Sequence, residues 1–147
     1  MTKVTRIKIF RKYYSIVMKL RIRGNSIRLR LTKSDIAQFA AAGKVEETVE
    51  FGLAKPALSY QLVKTEKVAT VSANFDKNCL KISIPRIAAE EWISSESVGL
   101  ESAQSIGDNN VLRILVEKDF ACLEKRAGEE DSDTFTNLHA EITTEKC

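Results

Sequence analysis

The stretch Leu80-Lys-Ile-Ser-Ile-Pro85-Arg-Ile-Ala-Ala-Glu-Glu-Trp92 decides the fold. Leu80, Ile82 and Ile84 alternate with Lys81 and Ser83, the period of two expected of a half-buried strand. Pro85 ends the strand and opens a short helix at its first turn, where a missing N–H removes no helical bond. That helix holds Ile87, Ala88 and Trp92, and Trp92 reads as a core anchor. Upstream, residues 69–75 are a strand candidate joined to residues 80–84 by the turn Asp76-Lys77-Asn78. Downstream, residues 98–106 and 111–118 flank Gly107-Asp108-Asn109. The order is strand, strand, helix, strand, strand.

Working back toward the N-terminus, the same order recurs. Leu20 and Ile22, then Ile27, Leu29 and Leu31, alternate with Arg21, Arg23, Arg28 and Arg30 about the turn Gly24-Asn25-Ser26, which reads as a hairpin. Thr32 is placed to cap a helix with Asp35 at the N3 position, while Leu31 and Ile36 occupy the two staple positions. Ile36, Phe39 and Ala40 are expected on its packed face, and Gly43 on its C-terminal end. Strand candidates 45–51 and 58–64 follow, separated by Gly52 and Pro56. Repetition at about 50 residues points to duplication. The expected fold class is α+β, mostly antiparallel β, with about eight strands and two short helices in a closed or nearly closed barrel made of two ββαββ-like halves.

The chain has 147 residues, 44% hydrophobic and 7% aromatic, the size of one ordinary domain. Residues 18–123 read as a single α+β barrel domain with halves at about 18–66 and 67–123. Residues 124–147 lose all periodicity and include the acidic run Glu129-Glu130-Asp131-Ser132-Asp133, so they read as a disordered acidic tail. Residues 1–17 read as an N-terminal extension or a basic arm, because Met18 opens a clean strand pattern. The first 33 residues carry eleven basic side chains and no acidic one, whereas 34–123 and 124–147 are each net −4. Removing 1–17 turns the whole-chain charge from +3 to −2. No apolar run is long enough to span a membrane as a helix, which points away from a membrane partner and toward a cytoplasmic protein. Cys79, Cys122 and Cys147, an odd and widely spaced set, read as free thiols.

The segment from Leu80 to Trp92 resembles the strand, Pro, short-helix signature of AbrB-like (SpoVT/AbrB) swapped-hairpin domains. That resemblance implies an intertwined barrel, made in that family by two chains, which often serves as a DNA-binding regulator or antitoxin domain. Here two units of one chain would supply both halves. The chain departs from that pattern at Ala73-Asn-Phe-Asp-Lys77, which lacks the arginines the family uses at its DNA face. Met18-Lys-Leu-Arg-Ile-Arg-Gly-Asn-Ser-Ile-Arg-Leu-Arg-Leu31, with Leu115-Val-Glu-Lys-Asp-Phe-Ala-Cys-Leu123, is also similar to a small uncharacterised bacterial protein family across most of residues 18–135. Membership there implies no assigned activity.

The sharpest functional feature is the arginine face. Arg21 and Arg23 on one strand and Arg28 and Arg30 on the next point to one side of the hairpin. Guanidinium groups offer paired planar donors to phosphate oxygens and stay charged at any working pH. The expected partner is therefore nucleic acid or another polyanion, with the acidic tail of the same chain a competing occupant. The same alternation also fits a solvated outer face paired with Glu46, Glu50 or Glu117, or a face buried against an acidic protein partner. Interleaved aromatics, the mark of a single-strand stacking platform, are missing.

No residue is assigned to catalysis, and no metal or cofactor is expected. His139 lies in the tail, so no histidine base stands on the rigid domain. Cys122, Asp131, Asp133 and His139 match no compact ligand spacing. A barrel with inward arginines and acids would resemble a triphosphate tunnel (CYTH) enzyme, but Val45-Glu-Glu-Thr-Val-Glu-Phe51 does not reproduce that family's entry motif. The expectation is a non-enzymatic binding module, with an interaction or structural subunit as the alternative.

Overall fold

The structure, a computed structural model, describes residues 18–120. Residues 1–17 and 124–147, with Cys122 and Cys147, lie outside the described residues, and so do the expectations that fall on them.

Ten elements follow one another: β1 (Lys19–Arg23), β2 (Ser26–Leu31), α1 (Lys33–Ala42), β3 (Lys44–Val49), β4 (Leu58–Thr65), β5 (Ser72–Asp76), β6 (Cys79–Pro85), α2 (Arg86–Ser94), β7 (Gly99–Gly107) and β8 (Asn110–Lys118). The fold is α+β, eight mostly antiparallel strands with two helices, as the alternation predicts.

Each hairpin closes where turn chemistry says it should. Lys77 and Asn78 turn β5 into β6, and Asp108 and Asn109 turn β7 into β8, all four at positive φ. Two consecutive left-handed residues match the twist of the flanking strands, and Asn and Asp tolerate that region better than most residues. Helix α1 begins with a complete capping box. The Asp35 amide donates to Thr32 Oγ1 at 3.2 Å, and the Thr32 amide donates to Asp35 Oδ2 at 2.9 Å. Gly43, at φ 71°, ends the helix with its amide on the Phe39 carbonyl.

The hairpins are distributed between two four-stranded sheets, in the orders β1-β2-β8-β7 and β3-β4-β6-β5. Hairpins from different halves of the chain meet in parallel at each sheet centre. β2 runs beside β8 from Ser26↔Arg113 to Leu31↔Lys118, and β4 beside β6 from Ser59↔Cys79 to Thr65↔Pro85. Replacing each strand by the one four places on, in cyclic order, turns one sheet order into the other, reversed. Backbone bonds follow the same correspondence. Arg113 donates to the Asn25 carbonyl as Ser59 does to Asn78, and Lys118 donates to Val98 as Lys64 does to Gly43.

The expected closed ladder is not formed: among the described residues neither sheet closes on itself. Side chains bridge the seam between β5 and β7 instead. Gln104 accepts from the Ala73 amide at 2.7 Å and donates to the Ala73 carbonyl at 3.0 Å, and Ser102 Oγ donates to the Val71 carbonyl. A side-chain amide thus takes the place of a ladder residue at an edge that would otherwise stand open.

Leu29, Leu31, Val45, Leu62, Ile82, Ile84, Ile114 and Val116 fill the space between the sheets. The helices plug one end, where Phe39 of α1 meets Trp92 of α2 edge to face at 6.4 Å. Trp92 is buried, as expected of an anchor, and its Nε1 donates to the Val98 carbonyl. The helix faces differ in part from the sequence reading. Ala40, expected on the packed face of α1, is exposed, while Asp35 and Phe39 of α1 and Ala89 and Trp92 of α2 are buried and Ile87 of α2 is exposed. Each helix lies across an end of the sheets and is covered along a narrow stripe, so a neighbour about 100° round from Phe39, or on the side opposite Ala89, meets solvent.

Candidate functional site

The strand registers assemble the arginine face and enlarge it. On the outer side of the first sheet, Arg21 lies opposite Arg28, Arg23 opposite Ser26, and Lys19 opposite Arg30. The parallel pairing with β8 continues these rows to Leu115, Arg113 and Glu117, and β7 extends them to Glu101, Ala103 and Gly99. Six cations, Lys19, Arg21, Arg23, Arg28, Arg30 and Arg113, share this side with the carboxylates Glu101 and Glu117, and Asp119 adjoins them.

The four arginines singled out from the sequence do not have equal standing. Arg21 and Arg23 are exposed and Arg28 is half-buried, whereas Arg30 is 8% exposed. Arg30 Nε donates to Glu117 Oε1 at 2.6 Å, and Arg28 Nε lies 3.8 Å from the same oxygen. Arg30 Nη2 is buried and makes no hydrogen bond within the structure. Lys19 Nζ reaches Asp119 Oδ2 at 3.0 Å. Of the acids expected to pair with this face, Glu117 does so, while Glu46 lies on the other sheet beside Lys44. Arg113 and Lys19 join the face without having been singled out. Alternation along β8 places Arg113 and Glu117 on one side, but no local signal says that β8 lies against β2.

Gly99 lets Glu117 sit where it does. A Cβ at Gly99 would stand 2.6 Å from the Val116 carbonyl oxygen and 3.0 Å from Glu117 Cβ. The turn end of the face is fastened by Asn25 Nδ2, which donates to the Val111 carbonyl at 2.8 Å.

The outer side of the second sheet is different. It carries Lys44, Glu46, Ser59, Gln61, Asn74, Cys79, Lys81 and Ser83, a polar surface of mixed sign. Gln61 Nε2 approaches Cys79 Sγ at 2.9 Å. Across the domain, Tyr60 Oη donates to the Met18 carbonyl at 2.8 Å. Burial first, and then the carboxylates of Glu47 and Asp35, raise the Tyr60 phenol above its ordinary pKa.

A second feature lies at the end away from the helices, where all four hairpin turns gather. An apolar pocket of about 250 Å³ opens there between the sheets, lined by Leu20, Ile22, Ile27, Leu58, Phe75, Leu80 and Leu112 with the Gly24–Ser26 turn. Ile22, Phe51, Leu53, Phe75, Ile106 and Val111 stand exposed on the strands and loops of this end.

Among the described residues no group of three or more His, Cys, Asp or Glu side chains is placed to hold a metal ion, and no helix is long and apolar enough to cross a membrane. The interior is apolar and the arginines lie on the outside of the sheets.

Fold and surface together define a two-sheet α+β domain with one strongly cationic outer face. A family model matches residues 18–139, and the chain belongs to that family, a family of unknown function (DUF7009). No curated protein and no solved structure matches the chain.

Proposed function

We propose that this protein is a non-enzymatic binding module that holds a nucleic acid, or another polyanion, against the outer face of β1, β2 and β8. The observation that carries the reading is the inequality of two sheets with the same pairing scheme. Position for position, Arg21, Arg23, Arg28, Arg30 and Arg113 of the first sheet correspond to Asn74, Asp76, Lys81, Ser83 and Ser59 of the second. One scheme is built with either set, so the strand pairing itself does not account for the excess of cations on the first sheet. Glu117 holds Arg30 and approaches Arg28, and Arg21, Arg23 and Arg113 are exposed on the same side. Guanidinium groups spaced along adjacent strands suit a row of phosphates, and with no aromatic side chain among them they favour backbone contact over base stacking.

The element order, the two parallel contacts between hairpins of different halves, and the bridged β5–β7 seam support a nearly closed, AbrB-like swapped-hairpin barrel of two repeated halves. A protein-interaction role is favoured by a different observation, the apolar rim at the turn end.

The test is binding of labelled duplex DNA and single-stranded RNA by the full chain, by R21A/R23A/R113A, and by K44A/K81A as the control on the opposite sheet. The account expects weakened binding in the first variant and none of that loss in the second. Equal binding by all three would remove nucleic acid from this face.

A further inference from the structure

The apolar end carries an inference independent of the cationic face. We propose that it is a self-association surface, on which a second copy of this chain docks end to end with Leu53 of each copy seated in the other's pocket.

Area is the first argument. At ordinary residue areas, the exposed fractions of Ile22, Phe51, Leu53, Phe75, Ile106 and Val111 amount to roughly 750 Å². Summed over this end, that approaches the ~800 Å² that each partner gives to a standard interface.

The second argument is self-complementarity. A twofold interface needs a projection and a recess on the same surface, so that each copy both gives and receives. Leu53 is the projection, 98% exposed at the tip of the β3–β4 connection. Its neighbours hold it out: Gly52 has φ 135°, Ala54 has φ 57°, and the Lys55 amide donates back to the Gly52 carbonyl at 3.3 Å. The recess is the pocket of about 250 Å³, large enough for a leucine side chain and lined on opposite walls by Ile22 and Phe75.

Charge is the third. The turn end carries both signs, Arg23, Lys55 and Lys77 as well as Glu50, Asp76 and Asp108, all at or next to the hairpin turns. Two identical ends of mixed sign can approach without the repulsion that two copies of the cationic sheet face would meet.

Sedimentation equilibrium of the full chain over a wide concentration range tests this, with Leu53→Asp and Ile22→Lys as variants whose side chains are exposed in the single chain. The expected result is a wild-type mass that rises to twice 16.5 kDa, while both variants stay at one chain's mass with an unchanged circular dichroism spectrum. A wild type that remains at one chain's mass throughout would overturn the proposal. So would variants that associate like the wild type, which would place self-association elsewhere. A monomer that takes up anilinonaphthalene sulfonate equally well with and without Leu53→Asp would assign the pocket to a small apolar ligand instead.

Discussion

Arg30 and Glu117 form a buried ion pair across the parallel β2–β8 contact, Nε to Oε1 at 2.6 Å, although 87 residues separate them in the chain. The pair lies in the row of Lys19, at the end of the cationic face nearer the helices. It also ties the first hairpin to the last at the level where the two halves of the sheet join.

Removing one partner leaves a charge that water reaches poorly. Glu117→Gln is expected to destabilise the protein by about 3 kcal/mol, the scale for breaking a buried pair from one side. Replacing both, as Arg30→Met with Glu117→Leu, should recover most of that loss. Urea unfolding of the two variants checks this; equal stability of Glu117→Gln and wild type would show the pair to be energetically idle.

Gly99 is the close approach that admits Glu117. With 2.6 Å between a built Cβ and the Val116 carbonyl oxygen, Gly99→Ala must push β7 away from β8. A loss of about 1–3 kcal/mol is expected, in the range of overpacking. A melting temperature unchanged by the substitution would contradict the geometry.

Tyr60 gives the stability a dependence on alkaline pH. Its folded pKa is raised by burial and by Glu47 and Asp35, so the unfolded chain loses the phenolic proton first. The contribution is complete below about pH 10 and falls as pH rises from there through the folded value. Tyr60→Phe should lose the bond to the Met18 carbonyl, about 1 kcal/mol near neutrality, and the gap to wild type should narrow at high pH. Unfolding curves at pH 8 and pH 11 measure it, and a gap that widens with pH would reverse the sign.

Much of the fold was legible locally. The capping box at Thr32 and Asp35, the stop at Gly43, the four turns and the alternation of each strand are nearest-neighbour physics, and each element stands within a few residues of where its pattern lies. The distribution of hairpins between sheets was not legible. The parallel contacts β2–β8 and β4–β6 join strands far apart in sequence, and alternation states which face is buried but not against what. The site shows the same division. Arg21, Arg23, Arg28 and Arg30 share a side, as their alternation predicts, but the burial of Arg30 and the arrival of Arg113 depend on β8. Ala40 shares the expected face of α1 with Ile36 and Phe39, yet lies in solvent because α1 is covered along one narrow stripe.

The cationic face stands or falls on one measurement: duplex DNA affinity of the full chain against salt, for wild type and for R23A/R113A. Each phosphate contact contributes about −0.9 to the slope of log affinity on log salt. The account predicts that removing Arg23 and Arg113 makes the slope shallower by about 2 while the fold is unchanged. Parallel slopes for the two proteins, or no binding at low salt, would contradict it.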